Sequence, residues 1–365
     1  MLSASSLSLN TESPPFPSRS WVAPAKLLGL IAALPIAAIG CRANPEVTAS
    51  PEPPATQSLN ERAATATLRA LASATSVAIM TVTDTPLVAV SSLPQEGEYI
   101  GILTDDGIAI HDLQGRNLGR ISDLTGTGAS LNPQGTMLQI DAPGFSLVDL
   151  ATGDVDKDGC AQGGSWGSWA PDGTMIAFIS GYEPGRLPML SVLDVSTQTC
   201  LPILGWFDLE AAPSWSPDGR WIAFSSKHGR ANLLAASDIF ILDTKCLQNT
   251  EDCPAMTRQV THTAEFDGVD SPSWSPDSRR MAFICGIPES PSVCVGDATT
   301  GEIDRIHSGA VPPFEPHWSP SGEWIAYTEN SSIPPGTAVY IVRPDGTDRT
   351  LIADAGWMAF WVVSD

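Results

Sequence analysis

The sequence is poor in cations, and its apolar segment near the start is too short to cross a bilayer. Only 19 Lys and Arg residues stand against 41 Asp and Glu residues, which gives a formal net charge of -22. Docking on nucleic acid or on anionic lipid headgroups requires a positive patch, so we expect the folded chain to bind neither. The apolar run 27–40 has 14 residues, fewer than the roughly 20 that a membrane-spanning helix needs.

The same apolar run has the flanks of an export signal. Arg19 and Lys26 precede it, small residues close it, and Cys41 follows directly. A positive segment, a short apolar core and small residues before a cleavage point are typical of secretory signals. The residues AIGC at 38–41 resemble a bacterial lipobox, which implies acylation of the cysteine. The sequence predicts a signal peptide at 1–40 and a lipid anchor at Cys41; a plain secretory signal and a retained signal anchor are the alternatives.

One sequence motif, which we call the phrase, recurs through most of the remaining chain. Four clear copies start at Ser168 (SWAPDGTMIAFIS), Ser214 (SWSPDGRWIAFSS), Ser273 (SWSPDSRRMAFIC) and His317 (HWSPSGEWIAYTE), and two weaker ones at Ser92 and Ser130. The glycine position of the phrase falls at Gly97, Gly135, Gly173, Gly219, Ser278 and Gly322, so successive copies lie 38, 38, 46, 59 and 44 residues apart. Such periods indicate propeller blades or another repeat array.

Each part of the phrase predicts a local structure. Proline presets φ for a tight turn, aspartate accepts hydrogen bonds from nearby amides, and glycine adopts positive φ. Asp172, Asp218 and Asp277 are the turn aspartates. An apolar strand follows each turn, then a second and a third strand, and the segment leading into the tryptophan adds a fourth. Four strands per unit are the content of one propeller blade.

Four tryptophans hold the same place in successive copies. These are Trp169, Trp215, Trp274 and Trp318. A ring of aromatic residues could bind a ligand, but a residue repeated in successive blades more plausibly packs between neighbouring sheets. We therefore predict a structural role for these tryptophans.

The phrase Trp-Ser-Pro-Asp-Gly followed by Ile-Ala-Phe resembles the TolB-type propeller repeat, a bacterial WD-like family. The match covers roughly residues 92–353. The resemblance implies a six-bladed propeller in the cell envelope that makes protein contacts at one mouth of its central channel. TolB itself has an additional α/β domain before its propeller, and only about 50 residues separate Cys41 from the first copy here, so we expect that domain to be missing. We predict an all-β domain at 76–365 behind a flexible linker at 41–75 that is rich in Pro, Ala, Ser and Thr.

Two apolar segments fall outside the six units. Residues 77–82 and 357–363 both have the pattern of strands. One of them could complete the ring by pairing the first and last blades. Together they could instead form a composite seventh blade, and we favour six blades.

Six cysteines besides Cys41 predict disulfides in an exported chain. Cys246 with Cys253, and Cys285 with Cys294, are close enough in sequence to pair locally. Cys160 with Cys200 follows only by elimination. Zinc is the rival interpretation, but no pair has the Cys-x-x-Cys spacing and no histidine lies nearby at a ligand interval.

No motif predicts catalysis or a cofactor. Gly163, Ser165 and Gly167 match G-x-S-x-G, but they run into a propeller turn instead of the helix that a nucleophile elbow requires. Asp154, Asp156 and Asp158 match the opening of a calcium loop, although Ser165 stands where the twelfth ligand would be. A solvated blade turn is therefore the favoured interpretation. The five histidines lie in different copies and share no metal spacing: His111, His228, His262, His307 and His317.

Together these features predict a monomeric, lipid-anchored scaffold that binds a protein or peptide in the cell envelope. A propeller enzyme acting on a small molecule or sugar at the channel mouth, and a calcium-stabilised sensor, are the alternatives. Acids and histidines that converge on one mouth would favour the enzyme, whereas an apolar mouth containing tryptophan would favour the binding protein.

Overall fold

Six four-stranded antiparallel sheets form the blades of a ring. The computed structural model describes residues 87–94, 97–141, 145–157, 161, 164–181, 188–205, 211–228, 237–263, 268–287, 290–308, 311, 313–330 and 337–364. Within these ranges there are 24 strands, three short 3₁₀ segments and no helix of seven or more residues. The predicted all-β, six-bladed propeller is confirmed, and the composite seventh blade is wrong. The predicted signal peptide, Cys41, the linker and the apolar segment 77–82 lie outside the described ranges.

The strands of each blade run from the centre of the ring outward. The first blade contains β24 (Met358–Ser364), β1 (Gly97–Thr104), β2 (Gly107–His111) and β3 (Asn117–Ser122). The second contains β4 (Ala129–Leu131), β5 (Met137–Asp141), β6 (Phe145–Asp149) and β7 (Val155–Lys157). The third contains β8 (Ser165–Trp169), β9 (Met175–Ser180), β10 (Met189–Asp194) and β11 (Thr199–Leu204).

The other three blades repeat this order. The fourth contains β12 (Ser214–Trp215), β13 (Trp221–Ser226), β14 (Asp238–Asp243) and β15 (Thr257–Gln259). The fifth contains β16 (Gly268–Trp274), β17 (Arg280–Gly286), β18 (Ser292–Asp297) and β19 (Ile303–Ser308). The sixth contains β20 (Pro313–Trp318), β21 (Ile325–Asn330), β22 (Thr337–Val342) and β23 (Thr350–Ala353). The 3₁₀ segments are Val90–Ser92, Thr244–Gln248 and Thr250–Asp252.

In the second to sixth blades, the recurring phrase forms the turn between the first and second strands. Gly219 closes one such turn with φ +74°, and Ser278 adopts φ +56° at the equivalent position. Asp218 Oδ1 accepts a hydrogen bond from the backbone N–H of Arg220 at 3.0 Å, as the turn chemistry predicts. Because the turn reverses the chain tightly, the next strand pairs directly with the one before it.

The repeat tryptophans lie between blades. All four are at most 8% exposed. Trp318, for example, shares a core cluster with Ile284 and Val293 of the preceding blade. A large aromatic side chain at this place removes apolar area of two sheets from water at once.

The serine that precedes each of three tryptophans links its blade to the next. Its hydroxyl oxygen accepts a hydrogen bond from the backbone N–H of the tryptophan in the following blade. These bonds join Ser168 to Trp215 at 2.9 Å, Ser214 to Trp274 at 3.4 Å and Ser273 to Trp318 at 2.9 Å. The phrase therefore sets the spacing between blades as well as the turn within each blade.

The last strand of the chain closes the ring. β24 pairs with β1 over seven residue pairs, including Gly101 opposite Phe360. The inner strands β4, β8, β12, β16, β20 and β24 contact one another in that order, and β24 contacts β4. Closure in this way removes the exposed sheet edges that an open array would leave. Of the two apolar segments outside the six units, the C-terminal one completes the first blade.

Two local disulfides are present, as predicted. Cys246 pairs with Cys253 across the short 3₁₀ segments, with their Cα atoms 5.0 Å apart. Cys285 of β17 pairs with Cys294 of β18. Cys200 is also disulfide-bonded, but Cys160 lies outside the described ranges, so that pairing stays a prediction.

Ring closure depends on the absence of a side chain at Gly101. A Cβ atom there would lie within 2.9 Å of three ring carbons of Phe360. We expect Gly101→Ala to lower the free energy of unfolding by about 1 to 3 kcal/mol, since overpacking forces strands apart. Thermal and urea denaturation would measure the loss.

Gly205→Ala is the matched control, because the nearest atom to its added Cβ would be Met189 Cε at 3.7 Å. Phe360→Leu combined with Gly101→Ala should cost less than the sum of the two single changes. Equal stability of Gly101→Ala and Gly205→Ala would contradict this account of closure.

Candidate functional site

The inner strands of all six blades surround a central channel. Its cavity has a volume of about 300 Å³ and is lined by residues of every inner strand. The wall is mixed: Phe360 and Trp361 contribute aromatic surface, while Gln139, Glu315 and His317 contribute polar groups. A cavity with apolar walls and a few polar groups is the usual form of a binding site.

The channel opens at one end into a wider cavity of about 600 Å³, which we call the mouth. Four residues line both cavities and therefore mark the boundary between them: Trp166, Ala212, Ser271 and Glu315. Further out, Phe314 and Trp357 line the mouth, and Phe314 is 42% exposed. The mouth therefore presents aromatic surface to solvent.

Three of the four boundary residues occupy equivalent β-bulges: Trp166, Ser271 and Glu315. Each lies three residues before a repeat tryptophan, and each has positive φ: +60° at Trp166, +53° at Ser271 and +45° at Glu315. In each case the inner strand has one residue more than its partner strand between successive pairs. Bulges redirect side chains and cluster next to functional sites, and positive φ in residues other than glycine is a conformational cost that is commonly found there. The bulge therefore places the boundary residue at the same position along the inner strand in three blades.

Asp141 lies at the end of β5 and is only 8% exposed. Its Oδ2 accepts a hydrogen bond from the backbone N–H of Trp166 at 2.8 Å, and its Oδ1 accepts one from Gln139 Nε2 at 2.7 Å. Burial nevertheless raises the pKa of Asp141 above its usual value, since these two bonds only partly offset the loss of water. The bonds hold the carboxyl group against the bulge of the third blade.

Glu315 is the carboxyl group at the boundary of the mouth. Burial raises its pKa to about 7, and the negative charges of Asp141 and Asp270 contribute to the increase. The carboxyl group is held by no hydrogen bond or ion pair among the described residues. A carboxyl group in this state exchanges its proton near neutral pH, which suits either binding or proton transfer.

His317 stands where the five other copies of the phrase have serine. Burial lowers its pKa to about 4, so the ring is neutral at pH 7. Its Nε2 has no hydrogen-bond partner within the described part of the chain. Its backbone oxygen accepts a hydrogen bond from Trp361 Nε1 of the closing strand at 2.8 Å.

Most residues singled out from the sequence lie away from this site. The repeat tryptophans are in the blade interfaces, although Trp169 also lines the channel cavity. The aspartates of the phrase are in the turns: Asp172, Asp218 and Asp277 each accept a hydrogen bond from an amide two residues later. Asp154 and Asp156 are exposed, the latter within β7, and Asp158 lies outside the described ranges. No cluster of three or more His, Cys, Asp or Glu side chains in the described ranges could hold a metal ion.

The carboxyl groups in and beside the mouth were not predicted from the sequence. Asp141, Asp270 and Glu315 come from three blades and match no motif. One signal was available, because His317 replaces the repeat serine and Glu315 is two residues before it. Ser165 and Gly167 of the G-x-S-x-G match lie in inner strand β8, so no helix follows the serine.

Comparison with solved structures assigns the fold. TolB from Acinetobacter baumannii has a TM-score of 0.60 at 18% identity, with 73% of this chain and 66% of that chain covered. A putative TolB from Agrobacterium tumefaciens has a TM-score of 0.54 at 17% identity, with 73% and 98% covered. A chain of a nidogen/laminin complex has a TM-score of 0.54 at 10% identity, with 73% and 99% covered.

The chain therefore has the fold of TolB-type propellers, and the resemblance inferred from the repeat is confirmed at that level. The chain spans slightly less than two thirds of the length of the Acinetobacter protein. No family model matches the chain. Among the described residues, none forms a helix with the length and apolar character that crossing a membrane requires.

The raised pKa of Glu315 predicts a specific pH dependence of stability. Between its ordinary value of 4.5 and about 7, the unfolded chain releases this proton while the folded chain keeps it. Stability is therefore lost as pH rises through that window and stays lower above it. From pH 5 to pH 8, the wild type should lose about 1 to 2 kcal/mol relative to Glu315→Gln, with water in the channel reducing the effect.

Denaturation of both proteins at several pH values would measure this difference. Glu302→Gln is the control, because that side chain is exposed at the turn before β19. Its stability should follow the wild type at every pH. Parallel curves for wild type and Glu315→Gln would mean that Glu315 titrates as an ordinary surface carboxyl group.

Proposed function

We propose that this TolB-type propeller is an envelope-exposed lipoprotein that holds a protein or peptide segment at the mouth of its central channel. The observation that carries the proposal is the mouth itself: a cavity of about 600 Å³ that continues into the channel and is walled by Trp166, Phe314 and Trp357. Exposed aromatic surface in a concave site on a rigid scaffold is the usual chemistry of peptide recognition.

The size and position of the mouth support a segment of chain as the occupant. A side chain entering from the mouth meets the bulged residues Trp166, Ser271 and Glu315 before it reaches the narrower channel. The exposed side chain of Asn330, at the end of β21, is available at the rim for main-chain hydrogen bonds. A propeller of similar fold occurs in a nidogen/laminin complex, which is an assembly of two proteins.

The cysteines support placement outside the cytoplasm. The pairs Cys246–Cys253 and Cys285–Cys294 would persist in an oxidising compartment. With cleavage before Cys41 and acylation of its thiol, residues 41–75 would tether a monomeric propeller to a membrane on the periplasmic side or at the cell surface. The anchor would supply the membrane contact, because the acidic chain has little attraction for anionic headgroups.

A second candidate is an enzyme acting on a small molecule or sugar at the same mouth. The carboxyl groups of Asp141 and Glu315 favour it, because both have raised pKa values and carboxyl groups of this kind serve as general acids or bases. Turnover of a small metabolite that is lost in Glu315→Gln, with no protein captured at the mouth, would establish this candidate and remove the first.

Photo-crosslinking in cells would test binding at the mouth. A photoreactive amino acid at Phe314 should give a protein adduct, because that side chain is 42% exposed in the mouth. The same residue at Ile303, which is 38% exposed on outer strand β19, is the matched control. Adducts of equal yield and identity at both positions would contradict a partner at the mouth.

Membrane fractionation would test the anchor. We expect the wild type in the membrane fraction with an incorporated alkyne-labelled fatty acid, and Cys41→Ala in the soluble fraction without label, because acyl chains supply the membrane affinity. Retention of unlabelled Cys41→Ala in membranes would indicate a signal anchor. Soluble, unlabelled wild type would indicate a plain secretory signal.

A further inference from the structure

The mouth is an acidic site. Glu315 and Asp270 line it, and Asp141 lies close enough that its charge raises the pKa of Glu315. The described residues that line the mouth and the channel include no lysine and no arginine. The described walls of the site therefore supply no cationic side chain to Glu315.

Of these three acidic residues, Glu315 is the one whose carboxyl group is placed to receive a ligand. Asp141 already accepts hydrogen bonds at both carboxyl oxygens. The side chain of Glu315 is partly buried, lines both the mouth and the channel, and has no hydrogen-bond or ion-pair partner among the described residues. A partly buried carboxylate without a donor is costly, and an incoming cation would reduce that cost.

The remaining walls favour an organic cation over a metal ion. Trp166 and Phe314 line the mouth together with Glu315, and aromatic faces attract ammonium and guanidinium groups. Calcium takes six to eight oxygen ligands, whereas no cluster of three or more potential ligand side chains is formed by the described residues.

We propose that the mouth binds a lysine or arginine side chain of the captured segment, with its cationic group paired to Glu315 and its methylene stem against Trp166 and Phe314. The proposal rests on the function proposed above and adds the chemical class of the segment: a basic peptide. The long aliphatic stems of lysine and arginine suit a site with apolar walls and a charged end.

Binding of this kind is coupled to release of a proton. Among the described residues, the charged groups that act on Glu315 are Asp141 on β5 and Asp270 on β16, and the neighbouring His317 is neutral above its pKa of about 4. The cation selects the ionised form of Glu315, which is the minor form below pH 7. Affinity therefore rises about tenfold between pH 6 and pH 8 as the free carboxyl group loses its proton.

A random heptapeptide library displayed on phage would test the proposal on the purified full chain. Enriched peptides should share a lysine or arginine, and their fluorescein-labelled forms would be titrated by anisotropy. We expect Glu315→Gln to weaken binding at least tenfold and to abolish its pH dependence, because a charged hydrogen bond is lost. Replacing the basic residue of the peptide by norleucine should have the same effect on the wild type.

Two controls separate charge at the site from overall charge and folding. Glu302→Gln removes one exposed carboxyl group from the turn before β19 and should leave affinity within about twofold of the wild type. Thermal melts at pH 8 should show Glu315→Gln to be at least as stable as the wild type. A loss of binding in that variant is then not a loss of fold.

The outcomes distinguish this inference from the proposed function. Peptides that crosslink to position 314 but lack a basic residue, or that bind Glu315→Gln as tightly as the wild type, would overturn the inference and leave a peptide-binding mouth. Failure to enrich any peptide that crosslinks at position 314 would count against both.

Discussion

Closure of the ring is the constraint on which the rest of this structure depends. Each four-stranded sheet has two apolar faces, and the described sheets cover them only by stacking on neighbours on both sides. The first blade lacks an inner strand until the end of the chain supplies β24, and close approach of that strand requires Gly101 opposite Phe360. The channel, its mouth and the convergence of carboxyl groups from three blades exist only when this last pairing is made.

The recurring phrase joins local and long-range structure. Within a blade it forms the turn, and between blades its serine accepts a hydrogen bond from the next tryptophan's N–H, as Ser273 does from Trp318 at 2.9 Å. This regularity is architectural, and the candidate site lies where the repeat departs from it. His317 replaces the serine, and Glu315 occupies the bulge position just before it.

The blades and the mouth of the channel differ in whether a carboxylate has a counterion. Elsewhere a buried carboxylate is neutralised: Glu329 pairs with Arg349 at 2.7 Å and with His307 at 2.8 Å. At the mouth, Glu315 has no such counterion among the described residues, and its pKa rises to about 7. A site that carries this cost in the free protein is suited to gain from a ligand that supplies the missing charge.

Local chemistry was enough to predict much of the fold from the sequence. The turn phrase, its period and the strand after each turn indicated six four-stranded blades, and short separations indicated the disulfides Cys246–Cys253 and Cys285–Cys294, because these features depend on residues close together in the chain. The choice of β24 as the closing strand and the meeting of Asp141, Asp270 and Glu315 were decided by the tertiary structure. These contacts join blades far apart in sequence, and no local preference encodes which blades the closed ring brings face to face.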